Sequence, residues 1–232
     1  MRLQADQITP CGKIKNEEFW IYYVLRDLFR MFEHFIMLDT GSTDRTKEIA
    51  LATARECRGK LTLIEADYGD NANKIGHSPN ILREVCPTYW MLLVDGDEIW
   101  PMEQLEKLCT LEVPDNKEVL MITGRNLAFV DGKVVERDGF NADRLFAPPV
   151  RWHLRTDYPF ESHGLEERAS RGQVGYLDLY FWHVRHLIRS SKDKEAYFRD
   201  EKRGYFPYDG PYKEIPPDWF GERGPHSNPY LT

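Results

Sequence analysis

Alternating apolar runs and helical patterns in the amino-terminal half predict an α/β protein built on a mostly parallel, doubly wound sheet. Three observations carry that expectation. Short apolar runs recur at 8–14, 34–38, 61–65 and 91–94, each closed by a polar break. The intervening stretches are long enough for crossover helices, which parallel strands require. Three of the runs end in polar and acidic clusters, Lys15-Asn16-Glu17-Glu18, Asp39 to Asp44 and Asp95 to Glu98, so one rim of the sheet gathers the chemistry. In open α/β sheets that rim, at the carboxyl ends of the strands, is where ligands bind.

Taken in order, 8–14 is the first strand. Trp20, Tyr23, Leu25, Leu28, Phe29 and Phe32 then recur at near-helical spacing, with Arg26, Asp27 and Arg30 expected to face elsewhere. The second strand, 34–38, leads through a glycine-containing loop into a helix over 47–58, for which Ser42, Thr43 or Asp44 can serve as cap. A third strand at 61–65 is followed by a polar stretch and a helix around 80–86. The fourth strand, Met91-Leu92-Leu93-Val94, is apolar on both faces, as a central strand must be. Beyond Trp100 the pattern changes. A helix over 102–108, short strands at 119–123, 127–130, 144–146 and 150–152, a hairpin turn at Asp131-Gly132-Lys133 and a strand over 174–182 predict a small antiparallel sheet. A charged helix over 190–203 and a tail rich in proline and aromatic residues complete the chain, and the tail is too apolar to be a free linker. It is expected either to pack on the body or to act as a lid. The expected division is a body over 1–188, with halves 1–100 and 101–188, and a carboxy-terminal segment over 189–232.

With 232 residues, 41% of them hydrophobic, the chain can bury a substantial core. A net charge of -7 argues against a general nucleic-acid binder, which needs a basic face for phosphates. Cys11, Cys57, Cys86 and Cys109 lack zinc-site spacing, so reduced thiols are expected. No signal peptide and no transmembrane span are expected either, which suggests a cytoplasmic location, with peripheral membrane association left open.

Read by itself, Asp95-Gly96-Asp97-Glu98 is either a solvated acidic turn or a pair of carboxylates arranged for a divalent cation. The four pieces Lys15-Asn16-Glu17-Glu18, Asp39-Thr40-Gly41-Ser42-Thr43-Asp44, Asn80 and Asp95-Gly96-Asp97-Glu98, in that order, favour the second reading. Over roughly residues 10–188 the chain resembles GT-A fold glycosyltransferases of the family 2 type, which transfer sugars from nucleotide-diphosphate donors. The resemblance implies a donor, most simply a UDP-sugar, in the crevice at the strand ends. Asp39 would accept a hydrogen bond from the base; Asn16, with Glu17 or Glu18, would line the nucleoside pocket, unless the glutamates serve the following helix. Asn80 would lie at the same donor site. Asp95 would lie between the ribose and the metal, and Asp97 would coordinate Mn²⁺ or Mg²⁺. Glu98 would hold the motif's backbone or reach towards the acceptor.

The resemblance also implies a histidine ligand, for which His183 is the best match; an imidazole tilts the metal towards manganese. At 161–167 the residues read Glu161-Ser162-His163-Gly164-Leu165-Glu166-Glu167. Gly164 stands where the family pattern has a catalytic glutamate, leaving Glu161 and Glu166 as rival bases for an inverting transfer, with Glu161 favoured. Pro79 precedes Asn80 where relatives place a basic residue, so Lys74 or Arg83 is the candidate partner of the diphosphate. The acceptor would be a hydroxyl of a glycan, a lipid-linked species or a small molecule. The alternatives are a nucleotidyltransferase, disfavoured by the acidic loop after the first strand, and a catalytically silent glycan- or protein-binding member of the fold.

Overall fold

In the computed structural model, which describes residues 1–66, 78–130, 133–151, 165–184, 190, 213–214 and 228–231, a single sheet runs through the chain. Its first strand, β1 (Ile8–Ile14), is buried almost throughout. It pairs in parallel with β2 (His34–Asp39) on one side and β4 (Trp90–Leu93) on the other. β3 (Lys60–Glu65) extends the parallel set beyond β2. The chain thus builds outward from β1 through β2 to β3, then returns to place β4 on the opposite flank of β1. In open α/β sheets a reversal of this kind places the ligand crevice at the carboxyl ends of the two strands that flank it, here β1 and β4. Pro10 is tolerated in this central strand because pairing with β2 begins only at Cys11 and Ile36, so no ladder partner is deprived of a donor.

Side chains of these strands alternate between two cores. Phe35, Met37, Trp90, Leu92 and Val94 face one cluster with Trp20, Tyr23, Leu25 and Leu28 of the α1 region (α1, Ile21–Phe29). Cys11, Ile36, Leu38, Met91 and Leu93 face the other, with Leu82 of α3 (Ser78–Val85). α2 (Thr46–Glu56) connects β2 to β3 and packs beside α1. Helices on both faces make the sheet doubly wound, as the two-sided apolar strands predict. Asp27 departs from expectation: it is buried, and Arg26 holds it at 3.1 Å.

After β5 (Glu98–Ile99) and α4 (Met102–Leu108), the second half continues the same sheet rather than building a separate one. The short strands expected at 119–123, 127–130 and 144–146 belong to two long ones, β6 (Val119–Val130) and β7 (Lys133–Phe146), paired as a hairpin. Register shifts at Leu120/Met121 and Arg125/Leu127, together with the polar run Gly124-Arg125-Asn126, interrupt the alternation that marks a strand in sequence. β7 joins β4 antiparallel, β8 (Val174–His183) runs parallel to β6, and β5 closes the edge against β8. α5 (Leu165–Ser170) precedes β8, and β9 (Lys213–Glu214) pairs with the distal part of β7. The order is β3-β2-β1-β4-β7-β6-β8-β5. The expected strand at 150–152 falls on Val150 and Arg151, which are not strand, and on Trp152, outside the described residues. Of the expected helix over 190–203, only Ser190 is described. The four cysteines are free thiols, and among the described residues no helix is long and apolar enough to cross a membrane.

Candidate active site

The loops that follow β1 and β2 are tied to each other atom by atom. Asn16 adopts a left-handed backbone, φ 54°, a conformation asparagine tolerates better than most residues. Its N–H donates to Ser42 Oγ at 3.0 Å, and its Oδ1 accepts from Thr43 N–H at 2.9 Å. Glu17 N–H donates to Thr46 Oγ1 at 2.7 Å, and Glu18 N–H donates to Asp44 Oδ2 at 3.3 Å. Asp44 Oδ1 also accepts the Thr46 N–H at 2.9 Å, so of the expected caps it is Asp44 that satisfies the first turn of α2. The Glu18 carboxylate is buried and accepts from Arg45 N–H at 3.2 Å, giving it a structural partner in the second loop.

Asp39 ends β2. Its Oδ1 accepts from the N–H groups of Gly41 at 3.0 Å and Ser42 at 2.8 Å. Its Oδ2 is buried and has no hydrogen-bond partner among the described residues. A buried carboxylate oxygen without a donor is costly, and a ligand N–H in the crevice would satisfy it.

On the other side of β1, the Asp95-Gly96-Asp97 turn lies against the first loop. A Cβ on Gly96 would stand 2.6 Å from Glu17 Cγ, so only glycine allows this approach. Asp97 is 4% exposed, and its Oδ2 lies 3.5 Å from His183 Nε2. The two meet because β5 aligns Glu98 with His183, while Val184 N–H donates to the Asp97 carbonyl at 2.8 Å. His183 Nδ1 lies 2.9 Å from Asn126 Oδ1. An Nδ1–H donated to that oxygen leaves the Nε2 lone pair directed at Asp97, the arrangement by which an outer partner orients a metal-binding imidazole. Among the described residues no three carboxylate, histidine or cysteine side chains gather closely enough to enclose a metal ion. A cation between Asp97 and His183 would need its remaining ligands from outside these described side chains. Asp95 does not join the pair as a third close ligand; its Oδ2 lies 3.7 Å from Arg144 Nη2.

Arg144 and Glu98 form the electrostatic base of the site, and Arg144 was absent from the candidates read in sequence. Glu98 is fully buried, and both its oxygens accept from Arg144, through Nε at 3.1 Å and through Nη2. Burial pushes the Glu98 carboxyl upward, Arg144 pulls it back, and Asp95 and Asp97 add to the push. Burial also works against the Arg144 charge, but Glu98 and Asp95 outweigh it and hold the guanidinium protonated. Of the two roles considered for Glu98, the structure favours holding the motif, since its Oε2 also faces Asp95 N–H at 3.4 Å.

Asn80 lies half-buried in the first turn of α3. Arg83 is not available for a diphosphate: it is buried and donates to the carbonyls of Thr88, Tyr89, Phe146 and Cys86. Lys74 and Glu161 lie outside the described residues; Glu166 falls on α5, with its side chain outside them. Asn126 was also missed. The polar Arg125-Asn126 step inside an apolar strand was its only local signal.

Arg144→Met leaves Glu98 buried without its counter-ion and is expected to cost about 3–5 kcal/mol in urea unfolding. Arg144→Met/Glu98→Leu should recover much of that loss. Strict additivity of the two single changes would show that the pair is not coupled.

No protein-family model matches the chain, and no curated protein sequence does. Solved structures do. S. aureus TarS 1-349 in complex with UDP-GlcNAc superposes with a TM-score of 0.55 at 15% identity, covering 82% of this chain and 60% of that one. The same TarS fragment solved alone gives 0.52 at 17% identity, covering 77% and 60%. The mannosyltransferase PcManGT from Pyrobaculum calidifontis, in complex with GDP-Man and Mn²⁺, gives 0.56 at 15% identity, covering 97% and 69%. This chain thus spans about 60% of the TarS fragment's length. These likenesses establish that the chain has the GT-A fold.

Proposed function

We propose that the chain is a glycosyltransferase that moves a sugar from a nucleoside diphosphate donor to a hydroxyl acceptor, with inversion at the sugar carbon and with a divalent cation at Asp97 and His183. One observation carries the reading. The unsatisfied Oδ2 of Asp39 and the Asp97–His183 pair occupy the same rim, at the ends of β2 and β4 with only β1 between them. Two strand spacings are about 10 Å, a span that a nucleoside bridges from its base edge to its diphosphate. Uracil presents an N–H to such a carboxylate, as does guanine; a UDP-sugar is the expected donor and a GDP-sugar its competitor. TarS with UDP-GlcNAc and PcManGT with GDP-Man and Mn²⁺ support both possibilities on the same fold.

In this reading Asp39 orients the base, and Asn16 and Asn80 contribute to the nucleoside side of the crevice. Asp95 reaches towards the ribose, opposed by Arg144. Asp97 and His183 would hold Mn²⁺, or Mg²⁺, which when bound would offset the negative charge that develops on the departing diphosphate. A carboxylate, Glu161 with Glu166 as its rival, takes the proton of the attacking hydroxyl as the new glycosidic bond forms and the bond to the phosphate oxygen breaks. The acceptor belongs to a glycan, a lipid-linked species or a small molecule.

A thermal-shift panel of UDP-, GDP-, dTDP- and CMP-sugars with Mn²⁺, Mg²⁺ or EDTA tests the donor site. The matching donor with Mn²⁺, at about a hundred times its Kd, should raise Tm by about 5 °C or more. Asp97→Ala should remove the metal-dependent part. A flat response to every nucleotide, with or without metal, would contradict the reading. For the base, Glu161→Gln should lower turnover about a hundredfold or more while donor binding persists. If Glu166→Gln does so instead, the two roles exchange.

A further inference from the structure

Apart from β9, which pairs with β7, the described residues of the carboxy-terminal region meet the body at the loops after β1 and β2 and at α1 and α2 beside them. Ser190 is fully buried, and its hydroxyl lies 2.5 Å from Asp44 Oδ2 and 3.3 Å from Glu18 Oε1. Asn228 is fully buried as well; its Nδ2 donates to the carbonyls of Glu18 at 3.2 Å and Phe19 at 3.3 Å. Its Oδ1 accepts the Tyr230 N–H at 3.1 Å, which fixes the turn that presents the amide. Arg45 donates through Nη1 to the Tyr230 carbonyl. The Tyr230 hydroxyl donates to Glu56 Oε2 at 2.7 Å, and its ring meets Tyr22 edge-on at 5.6 Å.

These contacts fall on residues that already hold the two loops together. Glu18 and Asp44 exchange a backbone-to-carboxylate bond, Arg45 N–H returns one to Glu18, and both carboxylates crowd the single hydroxyl of Ser190. Two neighbouring carboxylates repel each other, and a shared donor relieves that repulsion. The same two loops carry Asn16, Asp39, Gly41 and Ser42. We infer that Ser190 and the 228–231 turn clamp the nucleoside pocket, with Ser190 and Asn228 as positioning residues that tie the two loops together. The role as a donor pocket rests on the proposed function; the clamp itself does not.

Amide hydrogen exchange on the unliganded chain separates the two. Ser190→Ala and Asn228→Ala should each raise exchange about tenfold in peptides covering 14–20 and 39–46, with the β6–β7 hairpin unchanged. Ser190→Thr, which keeps the hydroxyl, should restore protection. For whichever nucleotide binds the wild-type chain, both alanine variants should weaken binding by a similar factor. A rise confined to 228–231, or spread evenly over all peptides, would overturn the clamp. A chain that shows the loop-specific rise but binds no nucleotide would keep the clamp and refute the donor-site reading.

Discussion

The short antiparallel pair between β5 and the end of β8 is the contact on which the site depends. Two residues on each strand, Glu98 with His183 and Ile99 with Trp182, carry the chain's second half back to the end of β4. Without this pair Asp97 is one carboxylate in an acidic turn. With it, an imidazole oriented by Asn126 faces that carboxylate, and the Asp97 carbonyl is satisfied by Val184. The register of β6 on β8 sets Asn126 opposite His183, so one row across three strands aligns Asn126, His183 and Glu98.

Charge balance is the second constraint. Asp39, Asp95, Asp97, Glu98 and the two loop glutamates converge on one rim, and their mutual repulsion opposes folding. The protein relieves it in distinct ways. Glu98 is neutralised by a buried guanidinium, Glu18 and Asp44 are bridged by backbone N–H groups and a serine, and Asp39 is half-satisfied by its own loop. Such an acidic rim favours cation binding. It also explains why Arg144 sits at the base of the site rather than in its opening.

Much of this was legible in the residues because β1, β2 and β4 are buried on both faces, so burial wrote itself as continuous apolar runs. The carboxylates at their ends were legible for the same reason, since a charge directly after a buried strand has to emerge at the rim. The hairpin was read as fragments because Gly124-Arg125-Asn126 breaks its alternation: Asn126 is polar because it meets His183, whereas Arg125 pairs with Glu136 and lies over the Tyr180 ring. The Arg144–Glu98 pair depends on β7 lying beside β4, a tertiary fact with no local trace. A lone arginine near a phosphate-type motif looks functional, whereas here Arg83 donates to the backbone carbonyls of Thr88, Tyr89, Phe146 and Cys86. Ser190 and Asn228 carry no local signal, because their partners lie far away in sequence.

The central claim is that Asp97 and His183 share one metal ion. Pulsed electron paramagnetic resonance of Mn²⁺ added to the chain, with and without the nucleotide that binds it, tests this most directly. The account predicts nitrogen coupling from one imidazole, lost in His183→Ala, and loss of ordered Mn²⁺ binding in Asp97→Ala. Ordered Mn²⁺ without nitrogen coupling, or the same coupling in His183→Ala, would contradict it, as would a wild-type chain that leaves Mn²⁺ free even with nucleotide present.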